Sequence, residues 1–303
     1  MDQVLAQREQ AAGAREQAGG WWPVDSLFLA WLAATGALIF FYRNQLPGPG
    51  RLLALHAAGA LLLILAVKWD RGRTSGAAWV FRHWYPLPYV VACYREVGIL
   101  IPAIRGLDLD AQMARLDLVF WGVPPTVWLE RIQTPWLTES LQLVYVLFPA
   151  VVLPVAWALW RGRRFAEFRY YAFLIALGFL LSFVGYFLVP VRGPRFFLAG
   201  LQHTQLEGLW LYEALRRGLD VLEATRFDCF PSGHVEVTLL SLWSSRRVSR
   251  NLFGWYSVYM VLMVFSTVYL RYHYTVDLLA GALLGLALLR LGPWLYGQPG
   301  AQP

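Results

Sequence analysis

Seven apolar runs punctuate this chain, at roughly 25–42, 52–68, 139–160, 168–190, 234–249, 253–271 and 275–294, and most approach the ~20 residues a helix needs to cross a bilayer. Such runs repeated along 303 residues point to one fold class, an all-α polytopic transmembrane helical bundle. Composition agrees: 58% of the residues are hydrophobic and 15% are charged, against about 25% charged in a soluble domain. The same figures exclude a disordered chain. The net charge of +7 is not arranged as a face for nucleic acid. Its arginines fall in short clusters between apolar runs, such as Arg161–Arg164 and Arg246–Arg250, which is how topology signals facing anionic lipid are written. The expected partners are a lipid phosphate substrate and membrane lipids, with no nucleic acid.

Segment 80–104 is apolar and aromatic, but Arg82, His83, Arg95 and Glu96 interrupt it and Pro86 and Pro88 bend it. It either crosses as a broken helix or lies in the interface, giving eight crossings or seven. Placing the basic loops Lys68–Arg73, Arg161–Arg164 and Arg246–Arg250 in the cytoplasm sends the long loop 191–231 and the residues near 271–277 to the periplasmic, extracellular or lumenal side. Residues 1–20 lack a basic start followed by an apolar core, so the first run is expected to be a retained anchor rather than a cleaved signal. The resulting division is a polar segment at 1–24, membrane spans at 25–105, amphipathic interfacial helices at 106–137, a catalytic membrane domain at 138–296 and a disordered tail at 297–303. Cys93 and Cys229 are too few for a disulfide framework or a zinc site.

Three patches fall at one expected membrane face. Pro190–Arg195 follows a span, Phe230–His234 precedes one, and Arg271–Asp277 joins the last two. His273 and Asp277 are four positions apart and share a helix face. A carboxylate there accepts the Nδ1 proton and leaves Nε2 as nucleophile or base. His234 opens a helix after Pro-Ser-Gly, where the free backbone N–H groups of Ser232, Gly233 and His234 would bind an anion and the Ser232 hydroxyl would donate to it. Arg192, Arg195 and Arg271 offer charged forks suited to phosphate oxygens. This constellation describes phosphoryl transfer without a metal, and no carboxylate cluster suggests a magnesium site. No cofactor is expected. Asp228 and Glu236 flank the second patch, whereas His56, His83 and His203 read as structural or interfacial.

Pro231-Ser232-Gly233-His234, then Ser266, His273 and Asp277 at matching spacing, resembles the type 2 phosphatidic acid phosphatase superfamily. The resemblance implies a six-helix phosphatase-type core, here with extra N-terminal spans. It also implies that His273 attacks phosphorus to form a phosphohistidine, that Asp277 orients it, and that His234 protonates the leaving group. The chain departs from the family at Thr267, where the third motif carries arginine, and at Pro194-Arg195, where the first motif reads Arg-Pro. The upstream lysine of that motif is also absent, with Leu188 and Gly185 at the corresponding distances. The weakened first motif and the stretch Leu116–Pro124 resemble the inositol phosphorylceramide synthase-like branch, and His273–Asp277 is similar to the sphingomyelin synthase pattern.

The expected function is therefore a metal-independent membrane lipid phosphatase acting on a lipid phosphomonoester or pyrophosphate. A phospho-headgroup transferase is the alternative if the acceptor is an alcohol rather than water. A lipid transporter, the non-enzyme alternative, would show inverted repeats and mid-bilayer polar groups.

Overall fold

The structure is a computed structural model in which residues 20–70 and 74–297 are described. The polar start, the basic residues 71–73 and the tail from 298 lie outside the described residues. Every regular element among the described residues is helical. In chain order these are α1 (Pro23–Phe41), α2 (Pro49–Asp70), α3 (Gly76–Trp84), α4 (Pro86–Ile104), α5 (Asp110–Trp121), α6 (Pro125–Trp128), α7 (Pro135–Val146), α8 (Leu153–Arg161), α9 (Phe165–Leu188), α10 (Pro194–Phe197), α11 (Tyr212–Leu222), α12 (Gly233–Ser245), α13 (Arg250–Tyr269) and α14 (Thr275–Leu295).

Six of these, α1, α2, α4, α9, α13 and α14, are long and apolar enough to cross a membrane. A seventh exists if α7 and α8 form one span, bent by 46°. The bend falls where Pro149 and Pro154 remove backbone donors. The run at 234–249 folds as the 13-residue α12, about 20 Å long at ~1.5 Å per residue, which is short of the ~30 Å hydrocarbon core. Pro231 and the extended Ser232 hold its start back, so its first residue lies inside the bundle rather than at a surface. Segment 80–104 breaks at Pro86 into α3 and the 19-residue α4. Two of its charges are paired in place: Arg82 with Asp25 of α1, and Glu96 with His56 of α2 at 2.8 Å.

α12 sits at the centre, packed on α9, α13 and α14, while α9 connects this core to α1 and α4. Close approach demands glycine at two points. A Cβ on Gly185 would lie 2.1 Å from Pro231, and one on Gly281 would lie 2.3 Å from the Ser232 carbonyl oxygen. At the end of α12 away from His234, Arg164 donates to the Arg247 carbonyl at 2.8 Å. The two basic clusters that flank α8 and α12 thus meet at one end of the bundle.

Candidate active site

Backbone hydrogen bonds draw the three patches together at the other end. The Arg195 N–H donates to the Arg271 carbonyl at 2.9 Å, and the Ser232 N–H donates to the Asp277 carbonyl at 3.0 Å. α13 ends in a left-handed residue, Arg271 (φ 67°), and the Thr267 carbonyl accepts from the N–H groups of Tyr272 and His273. Such a left-handed stop ends a helix while satisfying its last carbonyls. The chain then turns into α14, whose Asp277 reaches back to accept from the Tyr274 N–H at 2.9 Å.

This turn sets His273 beside His234. His273 Nε2 lies 3.2 Å from His234 Nδ1, and His273 Nδ1 lies 3.4 Å from Asp277 Oδ2. The Ser232 hydroxyl is 3.4 Å from the same Nε2. Because Ser232 makes no side-chain cap on α12, its hydroxyl is left for the imidazole. His273, Asp277 and Ser232 are buried. Asp277 thus lies on the Nδ1 side of the His273 ring and His234 on its Nε2 side. Tyr145 stacks on the His234 ring at 4.5 Å and on Tyr272 at 4.1 Å, and Phe148 packs on His234 at 4.1 Å. Tyr145 lies near the end of α7 and Phe148 in the turn that follows it, so this segment packs the His234 ring.

Of the three predicted arginines, the structure brings Arg195 to this cluster. Its guanidinium lies 4.8 Å from the Tyr272 ring centre, is paired with Glu223, and meets Asp220 at 3.3 Å. Behind it lies Asp228, to which the Tyr94 hydroxyl donates at 2.6 Å. Burial raises the Asp228 carboxyl above its ordinary range, opposed by Tyr94, His273 and Arg195. Glu223 is pushed up to about 7 by burial and by Asp228, with Arg195 opposing.

Arg192 and Arg271 are committed elsewhere. The Arg192 guanidinium pairs with Asp108 at 2.6 Å. Arg271 pairs with Glu130 at 2.9 Å and also donates to Gln202 and to the Thr204 carbonyl, fastening the 202–204 loop instead of replacing the charge absent at Thr267. The Thr267 hydroxyl turns back to the Val264 carbonyl. One amide of the expected nest is already taken. The Ser232 N–H serves Asp277, and the Gly233 amide faces the Tyr186 hydroxyl. The Ser232 amide thus ties the start of α12 to α14.

Several contributors carried no recognisable sequence signal, among them Tyr145, Phe148, Tyr94 and Glu223. The stretch around Leu116–Pro124 proves to be a strut. Asp117 accepts from the Thr275 and Val276 N–H groups at the start of α14, and Asp110 accepts from the Arg192 and Gly193 N–H groups and from the Tyr274 hydroxyl. Burial raises both carboxyls, opposed by these donors. Cys229, His273 and Asp277 present ligand-type atoms within 4.8 Å of one another. The Cys229 thiol, however, donates to the Tyr272 carbonyl, and His273 faces Asp277, so the set forms part of the packing between the second and third patches. Cys93 and Cys229 are both free and buried.

A family model described as the PAP2 superfamily matches residues 115–291, more than half of the chain. Among curated proteins, a PA-phosphatase related-family protein of Dictyostelium discoideum is 33% identical over 95 residues, which cover 30% of this chain and 17% of the relative. The shared stretch is thus less than a fifth of that relative's own length. No solved structure matches the chain.

Proposed function

From its membership of the PAP2 superfamily, to which the chain belongs, we propose that this protein is an integral membrane lipid phosphatase working through a phosphohistidine on His273. The observation that carries this reading is the 3.2 Å contact between His273 Nε2 and His234 Nδ1, with Asp277 behind His273. In the reaction the phosphoryl group takes the place of that resting contact. His273 Nε2 attacks phosphorus as the bond to the lipid oxygen breaks, and His234 gives its proton to the departing oxygen. His234 then takes a proton from water, whose oxygen bonds to phosphorus as the N–P bond breaks. Arg195 and the Ser232 hydroxyl hold the phosphoryl oxygens. Acid–base work of this type contributes about 10²–10⁴-fold, and preorganised charge contributes on the same scale.

The site is assigned to the extracytoplasmic face, within a catalytic domain at 138–296. Supporting this is the meeting of the basic loops Arg161–Arg164 and Arg246–Arg250 at the opposite end of α12. Metal independence is supported by the donor set: two imidazoles, a guanidinium and a hydroxyl serve nucleophile, acid and charge stabilisation. A second reading is phospho-headgroup transfer of the inositol phosphorylceramide synthase or sphingomyelin synthase type. It is favoured by Thr267, whose hydroxyl bonds to its own helix where the third motif otherwise carries arginine.

The test is His273→Ala in the purified full chain, read as phosphate released from phosphatidic acid. A loss of about 10³-fold or more is expected for removing a nucleophile, together with loss of acid-labile phosphate trapped on the protein. Undiminished release would overturn the mechanism. Added alcohol acceptors then separate the two readings by whether a transfer product forms.

A further inference from the structure

α11 is strongly amphipathic, and its apolar side is wider than the surface it buries. At about 100° per residue the apolar positions take up about half of its circumference, while Glu213, Arg216, Arg217 and Asp220 all fall on the other half. Within the apolar half, Tyr212 is buried and Leu215 and Leu219 are partly buried, where the helix packs on α7. Val221 and Leu222 belong to the same half, yet they are 78% and 62% exposed. Trp210, just before the helix, is 86% exposed.

Two anchors fix how deep this helix sits. At its start, the N–H groups of Leu209, Trp210, Leu211 and Tyr212 all donate to Glu139 Oε2, at 2.7–3.4 Å, and Glu139 lies one turn inside α7. Beyond its end, a Cβ on Gly98 would stand 2.0 Å from the Ala224 carbonyl oxygen, so the chain there rests directly on α4. Gly98 is about 9 Å short of the end of α4 at Ile104, at ~1.5 Å per residue. By the same rise α4 is about 28 Å long, no longer than the ~30 Å hydrocarbon core it crosses. Both ends of α11 are therefore pinned below the tips of α4 and α7.

We propose that α11 lies in the plane of the membrane surface, with Trp210, Val221 and Leu222 covered by the acyl chains of the leaflet nearer Arg195. A helix with one broad apolar side and a charged side takes this position because lipid accepts the first and headgroups and water the second. Arg217 borders Val221 on the helix surface, and its exposed guanidinium is free to swing from the weak 3.9 Å contact with Glu213 to a lipid phosphate. From the charged side, Asp220 and the following Glu223 hold Arg195, so the lipid-covered helix is tied to the histidine cluster. The proposal rests on the membrane-crossing helices and not on the chemistry of His273, and it stands or falls apart from the phosphatase reading.

The experiment uses the full chain reconstituted in vesicles of phosphatidylcholine and phosphatidylglycerol in equal amounts. Cys93 and Cys229 are buried, so a nitroxide reagent labels a cysteine introduced at the surface. Val221→Cys, Leu222→Cys and, on the charged side, Glu213→Cys are labelled one at a time. Spin relaxation by oxygen, which concentrates in the bilayer, and by a water-soluble nickel chelate then gives the depth of each label. The expected depth is about 5–10 Å below the headgroups at Val221 and Leu222, with Glu213 at the headgroups or in water. Leu222→Cys decides if Val221→Cys does not fold. Access of the nickel chelate to Val221 and Leu222 equal to its access to Glu213 overturns the proposal. So does protection from both reagents, and dipolar broadening between labels would then identify a second copy of the chain as the cover.

Discussion

The Glu223 carboxylate holds the guanidinium of Arg195, occupying the donors that a phosphate group would need. Burial and Asp228 push this carboxyl up to about 7 against the pull of Arg195, and Asp220 adds to the rise. Above that pH the anion competes with substrate, and below it the neutral acid competes weakly. If the competition is complete, KM rises about tenfold between pH 6 and 8. In Glu223→Gln this rise should vanish. The ratio of wild-type to variant KM, measured with phosphatidic acid across that range, cancels the substrate's own ionisation; a flat ratio would refute the competition. Stability follows the same linkage. The folded state favours the protonated acid, so the contribution of Glu223 is full below its ordinary value of 4.5 and is lost as the pH rises through about 7.

Arg195 and Arg271 should separate cleanly on mutation. Arg195→Ala removes the guanidinium beside Tyr272 and is expected to lower kcat/KM by about 10²–10³-fold. Arg271→Ala leaves the half-buried Glu130 with only the His203 N–H and should cost about 1–3 kcal/mol of stability, while the folded fraction keeps kcat/KM within about tenfold. Thermal unfolding and turnover measured on the same preparations check both outcomes.

Gly281→Ala tests whether the histidines are aligned by helix contact. The added methyl would lie 2.3 Å from the Ser232 carbonyl oxygen, so α14 must move away from the start of α12, carrying Asp277 with it. A displacement of ~1 Å at reacting groups costs about 10²-fold in rate. The variant should lose activity on that scale with its helix content unchanged by circular dichroism.

The buried pair Arg82–Asp25, supported by the Tyr85 hydroxyl, ties α3 to α1 far from the histidines in sequence. Arg82→Leu leaves Asp25 charged and buried, and should destabilise the protein by about 3–5 kcal/mol. Asp25→Asn combined with Arg82→Leu should recover part of that loss. Unfolding curves of the single and double variants report the coupling.

The sequence by itself determined the helical membrane class and most of the spans, and it singled out His234, His273, Asp277 and Ser232, which the fold brings together. These features are local. Apolar length is read directly from the chain, and the four-residue offset of His273 and Asp277 is a property of one helix turn. Only the tertiary structure decided where the long, charged side chains went. Arg192, Arg195 and Arg271 look equivalent as sequence, but a guanidinium goes to the carboxylate that folding brings to it, and Asp108, Glu223 and Glu130 come from three separate segments. The Ser232 amide was consumed for the same reason, because the Asp277 carbonyl reached it first. Tyr145 and Phe148 lay unnoticed within an apolar run, since only the packing of α7 beside α12 sets their rings against His234.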